Sequence, residues 1–288
     1  MLLLNIIEQS LLFLPLICAI YFSYIVLKVT DISVDGTLVL GAATTSQLLI
    51  HNIHPMITVC IAILAGICSG ICVAFIQYKN RINDIIAGLL MSFMLYSINL
   101  NIMGKPNITT MQHITLLKLF NGQKLILVLT SSCITITACI IIMYSKLGLK
   151  LRGVGENRIL MKKLGLNPEL YRIVGLSISG GLAALCGSIM SQMYGYSDIN
   201  MGFGMAITGI GALVIGLHLI SRVYFFKQKL VNHNIFVEIF GCLIGILFYF
   251  SITNLLIILQ INPINFKLIL ALIIILFLKF TKTIENVK

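Results

Sequence analysis

The chain has no tryptophan, five prolines and nine acidic residues in 288 positions. Charged residues make up 10% of it, against about 25% in a soluble domain. That shortage excludes an ordinary soluble globular protein. Without tryptophan, aromatic belts at a membrane surface fall to tyrosine, and Tyr21, Tyr24, Tyr78, Tyr144 and Tyr249 lie in apolar segments, several near their ends. No Cys-x-x-Cys pair occurs; all eight cysteines lie inside apolar runs, which predicts small core residues rather than disulfides or metal ligands. His51 and His54 stand three apart in a turn, and two histidines alone make a poor metal site, so none is expected. A phosphate loop of the form Gly-x-x-x-x-Gly-Lys-[Ser/Thr] is missing, since Pro106 follows Gly104-Lys105. The chain is therefore not expected to hydrolyse ATP or to carry a cofactor of its own. No basic stretch precedes the first apolar run, so a cleaved signal peptide is not expected.

Oil is plentiful. Hydrophobic residues make up 59% of the sequence, and the mean hydropathy is +1.04. A spanning helix needs about 20 apolar residues, and nine candidate runs are visible, at 11–27, 36–49, 56–78, 85–103, 125–144, 173–193, 201–219, 235–259 and 266–280. The second and last are short. These runs predict an all-α polytopic membrane protein of about nine transmembrane helices (eight to ten), forming a single membrane domain over 1–288. With the N-terminus outside and the C-terminus inside, sixteen of the 20 Lys/Arg fall in inside loops and Lys105, Lys118, Lys124 and Lys267 fall outside. That asymmetry is the positive-inside pattern. It assigns the net charge of +11 to membrane orientation and not to nucleic acid. Gly66-x-x-x-Gly70 followed by 82–85, and Gly241-x-x-x-Gly245 followed by 261–264, form a faint internal repeat of opposite orientation. The outside loop 104–124 holds a modestly apolar turn at 114–120, suited to lie on the membrane or to meet an outside partner.

One inside loop, 145–172, carries seven of the basic residues: Lys146, Lys150, Arg152, Arg158, Lys162, Lys163 and Arg172. Gly153-Val-Gly155 reads as a flexible entry. Asn157 is placed to cap a short helix over 158–164, and Gly165 is placed to end it at positive φ. Asn167-Pro168-Glu169 then restarts a helix that enters the sixth span. Ile159, Leu160, Met161, Leu164 and Leu166 give the short helix an apolar side. Two turns are too few to stand alone in water, so that side must rest on the lipid interface or in a partner's groove.

The run Gly148-Leu-Lys-Leu-Arg-Gly-Val-Gly-Glu-Asn157 followed by Leu164-Gly-Leu-Asn167 resembles the coupling loop of ABC-importer permeases of the branched-chain amino acid and ribose type. The family's form there is Gly-x-x-x-Arg-Ala-x-Gly-x-Asn, then Ala-x-x-x-Gly-Ile-Asn. Val34-Asp-Gly-Thr-Leu-Val-Leu-Gly-Ala-Ala43, residues 83–90, Gly180-Gly-Leu-Ala-Ala-Leu-Cys-Gly187, residues 96–107 and Met201-Gly-Phe-Gly204 match the family's form too. Stretches 96–107 and 201–204 look closest to its tryptophan/tyrosine-type or uncharacterised subgroup. The sequence departs from the pattern at Gly153, at Lys162-Lys163 and from His218 to Phe226. The resemblance implies a permease in the inner (cytoplasmic) membrane that forms a solute path. Its partners would be a separate cytoplasmic ABC ATPase that hydrolyses the ATP, an extracytoplasmic solute-binding protein and a second permease chain, as a homodimer. Asn157, Arg158, Met161, Leu164, Gly165, Leu166 and Asn167 would couple to the ATPase, and the solute would be an amino acid, aromatic or branched-chain, with a purine nucleoside or a sugar as the alternatives.

Two polar stripes are candidates for the solute path. Ser92, Tyr96 and Asn99 share a face of the fourth span, and Thr37, Gly41 and Thr44 share a face of the second. Interhelical hydrogen bonding is the alternative role for both. Asp35 and Asp84, at span starts, read as helix caps. The competing class is an ion-coupled secondary transporter, which would need a carboxylate buried mid-span, and none is visible. An intramembrane enzyme is disfavoured: Gly175-Leu-Ser177 is followed by Ile178 rather than glycine, and paired carboxylates are absent.

Overall fold

The computed structural model describes residues 2–78, 82–225, 235–262 and 265–285. Lys79, Arg81, Phe226, Lys227, Lys229, His233, Pro263, Ile264 and Lys288 of the sequence reading lie outside the described residues. The chain folds as α1 (Leu2–Ile20), continued by a π-helical turn (Tyr21–Val26), then α2 (Val34–Ile50), α3 (Pro55–Ile76), α4 (Asp84–Met103), β1 (Asn107–Thr109), α5 (Leu116–Leu119) and α6 (Lys124–Tyr144). There follow α7 (Lys146–Glu156), α8 (Arg158–Lys163), α9 (Pro168–Tyr194), β2 (Tyr196–Asp198), α10 (Met205–Phe225), α11 (Ile235–Ile258) and α12 (Phe266–Glu285). Six helices among the described residues are long and apolar enough to cross a membrane, and Val34–Ile50, Met205–Ile220 and Phe266–Ile275 are shorter apolar helices. Each apolar run of the sequence falls on one of these.

The centre is α9, the longest helix at 27 residues. It is rich in Gly, Ala and Ser, which let neighbouring backbones approach closely. A side chain at Gly41 of α2 would overlap the Ala184 carbonyl, and one at Gly187 would overlap the Leu38 carbonyl. On the other flank Gly66 and Gly70 of α3 lie against Gly180 and Leu176. Gly241 and Gly245 of α11 serve a different crossing, against Gly216, Leu217 and Ala212 of α10. Hydroxyl pairs also tie neighbouring helices, Thr37 of α2 with Ser69 of α3 at 3.0 Å and Thr45 of α2 with Ser188 of α9 at 2.7 Å.

Several local expectations change. The first helix begins at Leu2, nine residues before the apolar run read from sequence. Gly153 and Gly155 are not a flexible entry but part of helix α7, because each is needed for packing: Gly155 lies on the Val26 carbonyl and Gly153 on the Met161 side chain. Cys18, Cys139, Cys186 and Cys242 are buried, whereas Cys60, Cys68, Cys72 and Cys133 are exposed on helix surfaces. In the 104–124 loop, β1 pairs antiparallel with β2, Ile108 opposite Ser197. Leu116 is buried there, its N–H donating to the Gln192 side chain at 2.9 Å.

Residues 27–33 are not helical. The run is rich in β-branched and turn-forming residues (Val29, Thr30, Asp31, Ile32, Ser33), and such residues favour caps and turns over helix interiors. Lys28 takes φ +56°, and the Asp31 carboxylate accepts the Ser33 N–H at 2.9 Å. Consequently α2 starts deep in the bundle.

Candidate functional site

The basic loop builds an elbow from local chemistry. Ser145 caps α7 through bonds from the Leu147 and Gly148 N–H groups, and Asn157 caps α8 through a bond from the Leu160 N–H at 2.9 Å. Gly165, at φ +78°, closes α8: its N–H donates to Lys162 and that of Leu166 donates to Met161, the two bonds of a Schellman motif. Asn167 then caps α9, accepting from the Glu169 N–H at 3.1 Å, with Pro168 at the first position. Met161 turns inward onto Gly153 and is buried, while Ile159, Leu160 and Leu164 are 72%, 52% and 66% exposed. The elbow thus shows three adjacent apolar side chains and a basic rim of Arg158, Lys162 and Lys163.

Charged contacts absent from the sequence reading fasten the elbow to the bundle. Arg152 of α7 donates to Glu238 of α11 at 2.8 Å and to the Tyr21 hydroxyl at 3.2 Å, and that hydroxyl in turn donates to Glu238. Lys28 pairs with Glu156 at 2.8 Å on the surface. Arg172, counted as a loop cation, is 2% exposed inside the first turns of α9. It donates to the Gln77 side chain at 2.7 and 3.1 Å and pairs with Asp84 at the start of α4. Asp84 therefore bridges two helices at the start of its own. The signal for these pairs was there in single charges at the ends of apolar runs, but their partners lie 86 to 131 residues away.

A second feature lies deep between α2, α4 and residues 199–207. It is a cavity of about 490 Å³ lined by Asp35, Gly36, Ser92, Tyr96, Asn99 and Asn200, with apolar walls that include Phe93 and Phe203. Asn99 stands fifteen residues past the start of α4, about 22 Å along it at 1.5 Å per residue. Its Nδ2 donates to the Gly36 carbonyl at 3.0 Å. The structure brings Ser92, Tyr96 and Asn99 together on this cavity. Thr37, Gly41 and Thr44 do not line it: Thr37 bonds Ser69, Gly41 packs on Ala184, and Thr44 bonds back to its own helix at Leu40.

Asp35 corrects the expectation that no carboxylate sits mid-span, and also that it caps its own helix. Because α2 begins deep, its first-turn carboxylate is deep too. It accepts the N–H groups of Gly204 and Ala206, at the start of α10. Two helices thus begin at one depth, entered from opposite ends of the bundle, with Asp35 joining them.

A bundle of apolar helices with a half-open cleft on one flank, joined to a capped basic elbow, is the build of a multi-pass membrane protein. The sequence profile described as branched-chain amino acid transport system / permease component matches residues 2–278, and the chain belongs to that family. It is 46% identical over 278 residues to an uncharacterised protein of Rickettsia prowazekii (strain Madrid E), covering 96% of both chains. It is 37% identical over 228 residues to a tyrosine transport system permease protein of Clostridioides difficile (strain R20291), covering 78% of this chain and 76% of the other. A nucleoside ABC transporter permease of Lactococcus lactis subsp. cremoris (strain MG1363) shares 22% over 211 residues, 65% of this chain and 67% of that one. No solved structure gives a significant match.

Proposed function

We propose that the chain is the membrane subunit of an ABC importer, forming the solute path and borrowing its driving force from a separate ATPase that grips the 145–172 elbow. The observation that carries this reading is α8: a helix of six residues with Ile159, Leu160 and Leu164 uncovered and both ends capped. Such a helix is built to be held by something else, and the basic rim favours the cytoplasmic side. The N-terminus is then outside. ATP binds the partner, and this chain contributes Asn157, Arg158, Met161, Leu164, Gly165, Leu166 and Asn167 to the joint.

Movement of the elbow would reach the path by two routes. Arg172 and Asp84 link the start of α9 to the start of α4, whose far turns carry Ser92, Tyr96 and Asn99. Gly155, Glu156 and Arg152 link α7 to residues 21–33, which lead into Asp35. The cavity opens past Phe93, Tyr96 and Phe203, which are 71%, 49% and 75% exposed. The few polar groups on its inner wall, Asp35, Ser92 and Asn99, are costly to open to lipid, so a second copy of the chain covers this opening and shares the path. An outside binding protein would deliver the solute. Kinship with a tyrosine permease and the aromatic walls favour an amino acid with an aromatic side chain. The paired deep starts of α2 and α10 support an inverted repeat, with α2 to α4 related to α10 to α12.

Asp35 supplies the buried carboxylate that an ion-coupled transporter would need. Two of its acceptor positions are taken by the N–H groups of Gly204 and Ala206, which gives it a task that needs no coupled ion. The test is tagged purification together with uptake into vesicles. The importer reading expects a co-purifying ATPase and uptake that needs ATP. Uptake driven by an ion gradient without ATP would overturn it.

A further inference from the structure

Hydrogen-bond accounting around the deep cavity points to the chemistry of its occupant; it rests on the reading of this cavity as part of the solute path. Donors on the inner wall are already used. Asn99 Nδ2 serves the Gly36 carbonyl, and the Ser92 hydroxyl serves the carbonyls of Ile32 and Gly88, at 3.2 and 3.0 Å. The N–H groups of Gly204 and Ala206 serve Asp35. What is left is acceptor capacity. Asn99 is 1% exposed, and its Oδ1 has no partner. Turning the amide over would not help, because it would set Oδ1 against the Gly36 oxygen. The Asp35 carboxylate offers about four acceptor positions, of which two are filled.

No lysine or arginine lines the cavity among the described residues. The nearby cation, Lys267, is held by the Phe203 carbonyl at 3.1 Å and lies over the Phe203 ring at 5.0 Å. An unsatisfied buried acceptor is disfavoured, so a ligand carrying N–H groups gains here what a bare carboxylate does not.

We infer that this cavity selects a solute with an N–H donor, foremost an ammonium group, on an apolar ring-sized body, and that Asp35 and Asn99 do the selecting. The amine points inward to these two residues. The body lies against Phe93, Tyr96 and Phe203, and any carboxylate of the solute is left at the rim, where Tyr96 and Asn200 carry groups able to donate.

Two probes of equal ring and opposite end group separate the possibilities: tyramine, which has the amine and no carboxylate, and 3-(4-hydroxyphenyl)propanoate, which has the carboxylate and no amine. The purified full chain in nanodiscs is titrated with each, and the unfolding midpoint is followed. Tyramine should raise the midpoint and the acid should not. Asn99→Leu should weaken the tyramine effect about tenfold, the scale of one good polar contact, and Asp35→Asn should remove the preference for the amine. If Asp35→Asn fails to fold for want of its bonds to α10, Asn99→Leu, which touches no α10 backbone, carries the test. Equal stabilisation by the acid, no effect of tyramine, or a full tyramine effect in Asn99→Leu would overturn the inference. ATP-driven uptake without amine preference would sink this inference alone. Amine preference without ATP dependence would sink the importer reading alone.

Discussion

Replacing Glu238 by leucine removes the carboxylate that holds the elbow to α11. The Arg152 and Glu238 side chains are 26% and 15% exposed, and Tyr21, at 0%, bridges them. Breaking a fully buried pair from one side costs about 3–5 kcal/mol. With a quarter of the arginine still reached by solvent, the loss should be nearer about 2–3 kcal/mol, below that buried-pair range. Arg152→Met alone should cost a similar amount, since it leaves the Glu238 carboxylate without its cation. The double variant, Arg152→Met with Glu238→Leu, replaces both charges by apolar groups of similar size and should cost less than the two singles together. A coupling energy of about 1–3 kcal/mol is expected for groups in one network. Reversible unfolding in mixed micelles, followed by tyrosine fluorescence, measures each term. ATP-driven uptake, measured in parallel, should fall in both singles and partly return in the double. Additivity of the two singles within about 0.5 kcal/mol would refute the network as an energetic unit. So would uptake unchanged in the singles.

Other outcomes follow from single positions. Gly165→Val places a β-branched residue at φ +78°, a conformation costing roughly 1–2 kcal/mol even for an ordinary L-residue; uptake should be lost while membrane insertion persists, and Gly165→Asn, which tolerates that φ, should retain uptake. Leu164→Asp alters a side chain that is 66% exposed, so the unfolding midpoint should hold while the co-purifying ATPase disappears. Gly41→Val drives a side chain into the Ala184 backbone; overpacking of this kind costs about 1–3 kcal/mol or more, and the folded fraction by size-exclusion chromatography should drop. Arg172→Met strips the Gln77 and Asp84 side chains of their cation, and should lower stability in the same unfolding assay by more than any exposed Lys substitution in the elbow.

Much of the elbow was legible because its signals are local. Asn157, Gly165 and Asn167-Pro168 each act on backbone groups within three residues, so residue type and spacing suffice to place them. The Ser92, Tyr96 and Asn99 face was legible for the same reason, through helical periodicity. Its neighbours were not. Asp35 looks like a first-turn acid until residues 27–33 are seen to leave the helix and carry α2 inward. Only then does its pairing with α10, some 170 residues on, have a cause. Arg152 and Arg172 read as inside-loop charge, and their burial is decided by partners on α11, α3 and α4. Gly153 and Gly155 read as freedom in the chain, yet they are small because Met161 and Val26 press on them. In each of these cases the deciding atom belongs to a distant segment, which pattern and propensity do not reach.

The account turns on what holds the uncovered face of α8. A cysteine placed at Leu164 can be probed with a membrane-impermeant thiol reagent, against the background labelling of the native cysteines. The reagent should reach position 164 in inverted vesicles and not in intact cells, and bound ATPase should shield it. Labelling of position 164 from outside intact cells, or labelling from inside that bound ATPase leaves unchanged, would contradict the assignment of this elbow as the point where force enters the permease.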